Sequence, residues 1–125
     1  MNITCGTDII EIQRIKESIE TLGDKFLERV FTKNEIEYCE SKRTVKYQHY
    51  AARFAAKEAV FKAVSNLLED KYDISWQNIE IINEASGKPK INFVDIEIKE
   101  LAGYDISISH CKEYATANVI VYTGG

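Results

Sequence analysis

The sequence has little of what marks several common classes of protein. Its 125 residues include one proline and six glycines, and no repeat or low-complexity segment occurs. No apolar run reaches the ~18 residues that a membrane-spanning helix needs. The start of the chain, MNITCGTDII, lacks the basic and apolar stretches of a secretory signal. A membrane partner is therefore not expected, and the length predicts one domain over residues 1–125.

Cysteine is also sparse. The three cysteines, Cys5, Cys39 and Cys111, are odd in number, widely spaced and free of any CxxC pair. This pattern argues against a disulfide framework and against a structural zinc site. Free thiols are typical of a reducing compartment, so we expect a cytoplasmic protein.

Charge is distributed unevenly along the chain. The formal net charge of −4 disfavours a nucleic-acid coat protein, and no nucleic-acid partner is expected. The segment from Lys42 to Lys62, by contrast, has six basic residues and one acid, a net charge of +5. Such a segment is either a solvated helix face or a site for an anionic ligand, because grouped lysines and arginines concentrate anions.

Hydrophobic periodicity predicts an α+β domain with one long helix. A short strand is expected to end at Gly6, and Thr32 with Glu35 forms a capping box that begins a later helix. Helical spacing predicts helices at about 9–22, 25–30, 32–40 and 46–68, and alternation predicts strands at 78–83, 89–94, 105–109 and 115–122. One strand, several helices and then mostly antiparallel strands make the fold α+β. A small sheet of this kind leaves an exposed face, which favours a homo-oligomer.

The long helix has an apolar seam that is interrupted by charge. Position 57, where the seam requires an apolar residue, is lysine, and Glu58 lies about 100° further round the helix. A simple interpretation is that Lys57 extends its amine into water, while Glu58 and Lys62 form an ordinary i,i+4 pair. Because an unpaired buried charge costs several kcal/mol, we expect the interrupted stripe to face a cleft. The seam comprises Tyr47, Tyr50, Phe54, Phe61, Val64 and Leu68.

A divalent cation at Glu58 would need a second carboxylate, and Asp8 in GTDIIEI is the best candidate. Asp8 with Glu11 also fits an aspartate capping box. On local grounds, capping of the first helix is the stronger interpretation of Asp8, because aspartate is common at that position.

Three motifs together resemble one known family. They are G-x-D at Gly6 to Asp8, RFAAKEAVFKA at Arg53 to Ala63, and SISH before the last strand. This combination resembles the bacterial holo-acyl-carrier-protein synthases, which are short 4′-phosphopantetheinyl transferases. The resemblance covers essentially the whole chain, and the helix motif is its most specific part. It implies a phosphopantetheinyl transferase fold, with an N-terminal strand and helices around one long helix and a small mostly antiparallel sheet, assembled as a homotrimer.

The resemblance also implies roles for particular residues. The magnesium ligands would be Asp8 and Glu58, and the catalytic residues would be Glu58 and Lys62. Coenzyme A would bind between two neighbouring subunits. Its contacts would be Arg43, Lys46, Arg53, Lys57, Lys62, Gly87, Lys88, Pro89, Ser109 and His110.

The implied reaction joins coenzyme A to an acidic partner, apo acyl carrier protein. A serine hydroxyl of the carrier attacks the coenzyme A pyrophosphate, which gives holo carrier and adenosine 3′,5′-bisphosphate in support of fatty acid biosynthesis. The general base is either Glu58 acting through a water or a metal-side water. The carrier would contact Arg14, Phe26 and Arg29.

The segment after the long helix departs from the family pattern, and two other function classes remain as alternatives. Family members usually have a glycine-rich loop there, whereas SNLLEDKYDISW contains no glycine. A coenzyme-binding module without activity is one alternative. A glycoside hydrolase with paired carboxylates is another, but cations beside Glu58 would lower its pKa where a general acid needs it raised. No GxxxxGK[ST] motif is present, which excludes a P-loop enzyme.

Overall fold

The structure is a computed structural model that describes residues 1–124, with Lys71 described by its backbone alone. Its helices are α1 (Ile12–Leu22), α2 (Asp24–Val30), α3 (Lys33–Glu40) and α4 (Lys46–Val64). Its strands are β1 (Ile3–Glu11), β2 (Ile79–Asn83), β3 (Pro89–Phe93), β4 (Leu101–His110) and β5 (Tyr114–Thr123). Short 3-10 turns lie at Arg43–Val45, Ser65–Leu67, Lys71–Asp73 and Trp76–Asn78. The α+β prediction is confirmed.

The strands form two antiparallel sheets. β5 lies between β1 and β4 in a three-stranded sheet, and β2 pairs with β3 in a separate hairpin. One face of the larger sheet packs on α4, where it buries Ile106, Val119 and Val121. Helices α1 to α3 pack with the first half of α4 around a second cluster that includes Phe31 and Tyr50.

Small residues let β1 approach α4 closely. A Cβ atom on Gly6 would collide with the backbone carbonyl of Ala59 and would lie 2.8 Å from the backbone nitrogen of Ala63. The Thr4 hydroxyl donates a hydrogen bond of 2.7 Å to the Ala63 carbonyl. Glycine is therefore required at position 6 because β1 lies directly against the backbone of α4. The sequence pattern had predicted that the strand ends at Gly6.

The aspartate capping box predicted at Asp8 is wrong. β1 continues to Glu11, Asp8 pairs with Ala117 of β5, and the Thr116 hydroxyl donates 2.9 Å to the Asp8 carbonyl. Glu11 is the N-cap of α1 and makes no side-chain cap hydrogen bond to the described chain. Hydrogen bonds to β5 keep the chain extended as far as Glu11. The first helix therefore begins at Ile12 and not near residue 9, as predicted.

Most other predicted elements are present, with shifted ends. The capping box of Thr32 and Glu35 is confirmed, and the β2–β3 hairpin turns at Gly87 with a φ of 91°. α4 ends at Val64 rather than Leu68 because the chain tightens into a 3-10 turn. β4 begins at Leu101, earlier than the strand predicted at 105–109.

Helices long and apolar enough to cross a lipid bilayer are absent from the part of the chain that the structure describes.

Candidate active site

Asp8, Glu58 and Lys62 come together where β1 crosses α4. The Lys62 amine donates to the Asp8 carboxylate at 3.2 Å and to the Thr7 carbonyl at 2.9 Å. Alternate residues of a strand share a face, so Asp8 lies on the same side of β1 as Gly6, the residue that contacts the helix. The close packing at Gly6 therefore places Asp8 against the last turns of α4.

Glu58 lies close enough to Asp8 for the two carboxylates to affect each other. Burial raises the pKa of Glu58, the charge of Asp8 raises it further, and Lys62 opposes both effects without outweighing them. The lowered pKa expected from the neighbouring cations is therefore wrong. Lys62 is more than half exposed, so its charge is partly screened by water. A cation between the carboxylates would relieve their repulsion.

The two carboxylates fit magnesium better than a metal that needs a closed protein site. Mg²⁺ is typically held by one or two carboxylates, with waters and substrate phosphates in its other positions. Within residues 1–124, no group of three or more His, Cys, Asp or Glu side chains is arranged to hold a metal ion. The donor set is therefore compatible with a metal that arrives with a phosphate ligand, and it does not fit a structural zinc site.

An open cavity of about 330 Å³ adjoins Glu58. It is lined by Glu58, Phe61, Ser65, Leu68, Tyr72 and Ile74. Most of this wall comes from the segment that follows α4, where the sequence has no glycine-rich loop. The segment still forms a concave surface beside the carboxylates, but it does so with aliphatic and aromatic side chains.

The prediction that Lys57 faces a cleft is wrong. Lys57 is completely buried, and its amine donates 2.6 Å hydrogen bonds to the Glu35 carboxylate and to the Val30 carbonyl. Burial lowers the pKa of Lys57, and the adjacent Glu35 opposes that shift. Since no part of Lys57 reaches the surface, it cannot contact a phosphate of coenzyme A in this conformation. The sequence did not reveal its partner, because Glu35 lies on α3 and had already been interpreted as part of a capping box.

The i,i+4 pair considered for Glu58 and Lys62 is replaced by a longer-range contact. Among the described residues, the ion pair that Lys62 makes is with Asp8. The Lys62–Asp8 ion pair joins α4 to β1, and it leaves the Glu58 carboxylate facing the cavity.

Arg53 connects α4 to the β2–β3 hairpin. Its guanidinium donates 2.7 Å to the Asn83 side chain and stacks 3.9 Å above the centre of the Tyr38 ring. Asn83 in turn donates 3.0 Å to the Gly87 carbonyl in the hairpin turn. Arg53 is 4% exposed, and its buried Nε has no hydrogen-bond partner in the described chain.

The hairpin turn is also joined to β4. Lys88 and Asp105 form an exposed ion pair of 3.0 Å. The hydrogen bond from Lys88 lowers the pKa of Asp105, and the same contact raises the pKa of Lys88. The turn of Gly87, Lys88 and Pro89 thus lies between Arg53 on one side and the larger sheet on the other.

The remaining residues predicted for coenzyme A lie at the other end of α4. The His110 ring is 5.8 Å from the His49 ring, which is 5.7 Å from Tyr38. Ser109 alternates with His110 and so lies on the opposite, exposed face of the sheet. The exposed Arg43 precedes α4, and Lys46 pairs with Glu40 at 3.3 Å in its first turn.

The predicted site residues therefore form two groups in one chain. Lys46 and Glu58 are twelve residues apart on one helix, which is a separation of about 18 Å. Asp8, Glu58 and Lys62 belong to one group, and the residues around His110 belong to the other. The structure of the single chain does not bring them together.

The residues predicted for a carrier protein lie on α1 and α2. Arg14 and Arg29 are exposed, and Arg14 lines a shallow surface depression with Glu17 and Leu22. Phe26 is half-buried, and its ring meets Phe31 edge-on with centroids 6.2 Å apart.

Comparison with known proteins identifies the family. Residues 4–119 match the family described as the 4′-phosphopantetheinyl transferase superfamily. The holo-[acyl-carrier-protein] synthase of Ruminiclostridium cellulolyticum is 47% identical over 130 residues, which cover 99% of this chain and 95% of that protein.

Solved structures agree with that comparison. The holo-(acyl-carrier-protein) synthase of Bacillus anthracis, in complex with CoA (3′,5′-ADP), has a TM-score of 0.77 and 36% identity, covering 97% of this chain and 96% of that one. The Helicobacter pylori holo-[acyl-carrier-protein] synthase, in complex with coenzyme A, has a TM-score of 0.78 and 30% identity, covering 94% of this chain and 99% of that one. The resemblance inferred from the motifs is confirmed, and this chain belongs to the holo-[acyl-carrier-protein] synthases of the 4′-phosphopantetheinyl transferase superfamily.

Proposed function

We propose that this protein transfers the 4′-phosphopantetheine group of coenzyme A to a serine hydroxyl of apo acyl carrier protein. The products are holo carrier and adenosine 3′,5′-bisphosphate, and the reaction supports fatty acid biosynthesis. The observation that carries the proposal is the meeting of Asp8, Glu58 and Lys62 beside an open cavity. The relatives from Bacillus anthracis and Helicobacter pylori, solved with coenzyme A or its 3′,5′-ADP part, support coenzyme A as the donor.

Asp8 and Glu58 are the residues that would hold magnesium. When bound, Mg²⁺ supplies positive charge to phosphate oxygens and to the leaving group. Burial is the main cause of the raised pKa of Glu58, but the charge of Asp8 adds to it. That contribution supports the assignment, because two adjacent carboxylates bind a cation more readily than one.

Lys62 would stabilise the negative charge that develops on the phosphates. Its amine is fixed by Asp8 and by the Thr7 carbonyl, so it is oriented before the donor binds. Phosphoryl transfer depends mainly on positioning and charge neutralisation, and a fixed ammonium group provides both. Either Glu58, through a water, or a metal-side water would accept the serine proton.

The donor would extend from this cluster toward the residues at the other end of α4. The proposed contacts are Arg43, Lys46, Arg53, Lys62, Gly87, Lys88, Pro89, Ser109 and His110, without the buried Lys57. Because the two groups are separated in one chain, we propose a homotrimer in which each site lies between two subunits.

The open face of the three-stranded sheet supports that assembly. Ile3 and Ile9 of β1 are each 66% exposed, and Ile120 and Tyr122 of β5 are also exposed. An apolar sheet face of this kind is stabilised when another subunit covers it. Residues 1–125 would act as one domain of the trimer.

The acidic carrier protein would dock on α1 and α2, with Arg14 and Arg29 pairing with its carboxylates and Phe26 providing apolar contact. The three thiols, Cys5, Cys39 and Cys111, are all free, which supports a cytoplasmic location.

Intact-mass spectrometry of the carrier tests the proposed function. Apo carrier incubated with this protein, coenzyme A and magnesium should gain the mass of phosphopantetheine, and a chelator should prevent the gain. If coenzyme A binds and the carrier mass does not change, the protein is a binding module and the proposed function is wrong.

A further inference from the structure

A buried ion pair joins α3 to α4 at the residue that precedes Glu58. The Lys57 amine and the Glu35 carboxylate are both fully buried and 2.6 Å apart. Lys57 immediately precedes Glu58, the carboxylate that faces the cavity. Burying two charges has a large desolvation cost, and replacing such a pair with apolar residues is often neutral or stabilising. Fold stability alone therefore does not explain the pair.

Glu35 joins three elements through one carboxylate. One oxygen accepts from Lys57 of α4 and, at 2.8 Å, from the Thr32 backbone at the start of α3. The other oxygen accepts 2.8 Å from the backbone nitrogen of Ile81, in the middle of β2. Every polar atom of the carboxylate is thus committed, and β2 is fixed to both helices at this point.

A second contact fixes the same strand beside it. The Glu80 carboxylate accepts hydrogen bonds from the Thr32 hydroxyl, from Asn34 and from Asn92. The orientation of the β2–β3 hairpin relative to α3 and α4 is therefore set by two buried glutamates, Glu35 and Glu80.

The hairpin oriented in this way contains proposed donor contacts. β2 ends at Asn83, which accepts from Arg53 and donates to the Gly87 carbonyl in the turn. A shift of β2 against α4 would move the turn of Gly87, Lys88 and Pro89 relative to Arg53. The path from the ion pair to the turn thus consists of the Glu35–Ile81 hydrogen bond, the backbone of β2 from Ile81 to Asn83, and the Asn83–Gly87 hydrogen bond.

We propose that Lys57 and Glu35 are positioning residues for coenzyme A: their buried pair fixes the β2–β3 hairpin against α4 and so holds the donor contacts of the hairpin turn in place beside Arg53. This inference rests on the proposed function. Neither residue touches the substrates, so the pair contributes to donor binding and leaves the transfer step to Asp8, Glu58 and Lys62.

Removing the whole pair tests the inference. The double variant Glu35→Gln/Lys57→Met removes both charges and leaves no unpaired buried ion. Its amide oxygen can still accept from one of the two backbone N–H groups that Glu35 binds, so we expect the fold to be retained with a lower free energy of unfolding. We expect the KM for coenzyme A to rise about tenfold, with kcat within about twofold of the wild type. This pattern is expected because the lost contacts would bind the donor equally well in the ground state and in the transition state. The KM for carrier protein should not change. Lys99→Met, at an exposed lysine outside the site, is the matched control and should retain wild-type constants.

The possible results separate the positioning role from other roles. A folded double variant with an unchanged KM for coenzyme A, or with a lower kcat at an unchanged KM, contradicts the proposal. If the double variant does not fold, Glu35→Asp keeps both charges while drawing the carboxylate back from Ile81, and it should also raise the KM for coenzyme A. An unchanged KM in Glu35→Asp then contradicts the proposal.

Absence of any transfer by the wild type would instead overturn the proposed function. The positioning role would still be tested by calorimetry, which compares the affinity of the wild type and the double variant for coenzyme A.

Discussion

Lys62 and Asp8 form the contact on which the proposed chemistry depends most. The pair joins two residues that are distant in sequence, and Lys62 remains about half exposed. An ion pair with one exposed partner contributes little to stability, typically 0–1 kcal/mol. The value of the contact is therefore in orientation, since it fixes a cation and a carboxylate on one side of the Glu58 cavity.

Asp8→Asn should separate chemistry from stability at this position. It keeps the shape of the side chain but removes a magnesium ligand, so we expect at least a hundredfold lower rate of transfer, as for loss of a metal's direct contact. The free energy of unfolding should change by less than about 1 kcal/mol. Urea denaturation and the carrier mass assay measure the two quantities. A stable variant with wild-type activity would show that Asp8 does not hold the metal.

Glu80 provides a test of stability against pH. Burial raises its pKa, but hydrogen bonds from Thr32, Asn92 and Asn34 and the charge of Lys57 outweigh that effect and lower it below the ordinary value of 4.5. A lowered pKa in the folded state means that ionised Glu80 stabilises the fold above pH 4.5, and that this contribution is lost as the pH falls through the folded-state pKa. The free energy of unfolding of Glu80→Gln should therefore be lower than that of the wild type at pH 7. The difference should shrink below pH 4.5. Urea titrations at several pH values measure the free energy of unfolding of both proteins. A difference between the wild type and Glu80→Gln that did not depend on pH would contradict this account.

At the scale of secondary structure, the contact between β1 and α4 determines where the site forms. Gly6→Ala would place a methyl group against the Ala59 backbone and push the strand away from the helix. We expect a loss of about 1–3 kcal/mol in the free energy of unfolding, as for overpacking, together with reduced transfer because Asp8 moves from Lys62. Thermal denaturation and the mass assay should both detect the change.

Gly124→Ala is the matched control, because a Cβ there meets no atom within 4 Å. If Gly6→Ala were as stable and active as Gly124→Ala, the close approach at Gly6 would not be what positions the site.

Local patterns predicted the elements well and the long-range contacts poorly. The Thr32–Glu35 capping box, the long helix and the later strands were predictable, because capping and periodicity depend on neighbouring residues. The length of β1 was not predictable, because pairing with β5 involves residues more than a hundred positions away. Burial of Lys57 was missed for the same reason: its partner, Glu35, lies on another helix. Asp8 and Glu58 were assigned to one site through the family motifs, since spacing alone favoured a helix cap for Asp8.

At the scale of the whole molecule, the separation of the two site groups leads to a test of assembly. If each site uses Lys62 of one subunit and His110 of its neighbour, Lys62→Ala and His110→Ala subunits should complement each other. Random co-assembly at equal amounts would leave about a quarter of the sites with both residues intact. At subsaturating coenzyme A, co-expressed subunits should therefore be more active than the mean of the two separate variants. Activity equal to that mean, or a stable monomer by light scattering, would contradict the shared site.

The central claim is that Asp8, Glu58 and Lys62 perform magnesium-dependent transfer, and a time course of carrier mass with wild-type protein and Glu58→Gln tests it most directly. We predict that the carrier gains the mass of phosphopantetheine with wild-type protein and magnesium, and that neither chelated wild type nor Glu58→Gln produces the gain. Transfer by Glu58→Gln at the wild-type rate, or transfer by the wild type that continues in chelator, would contradict this account of the site.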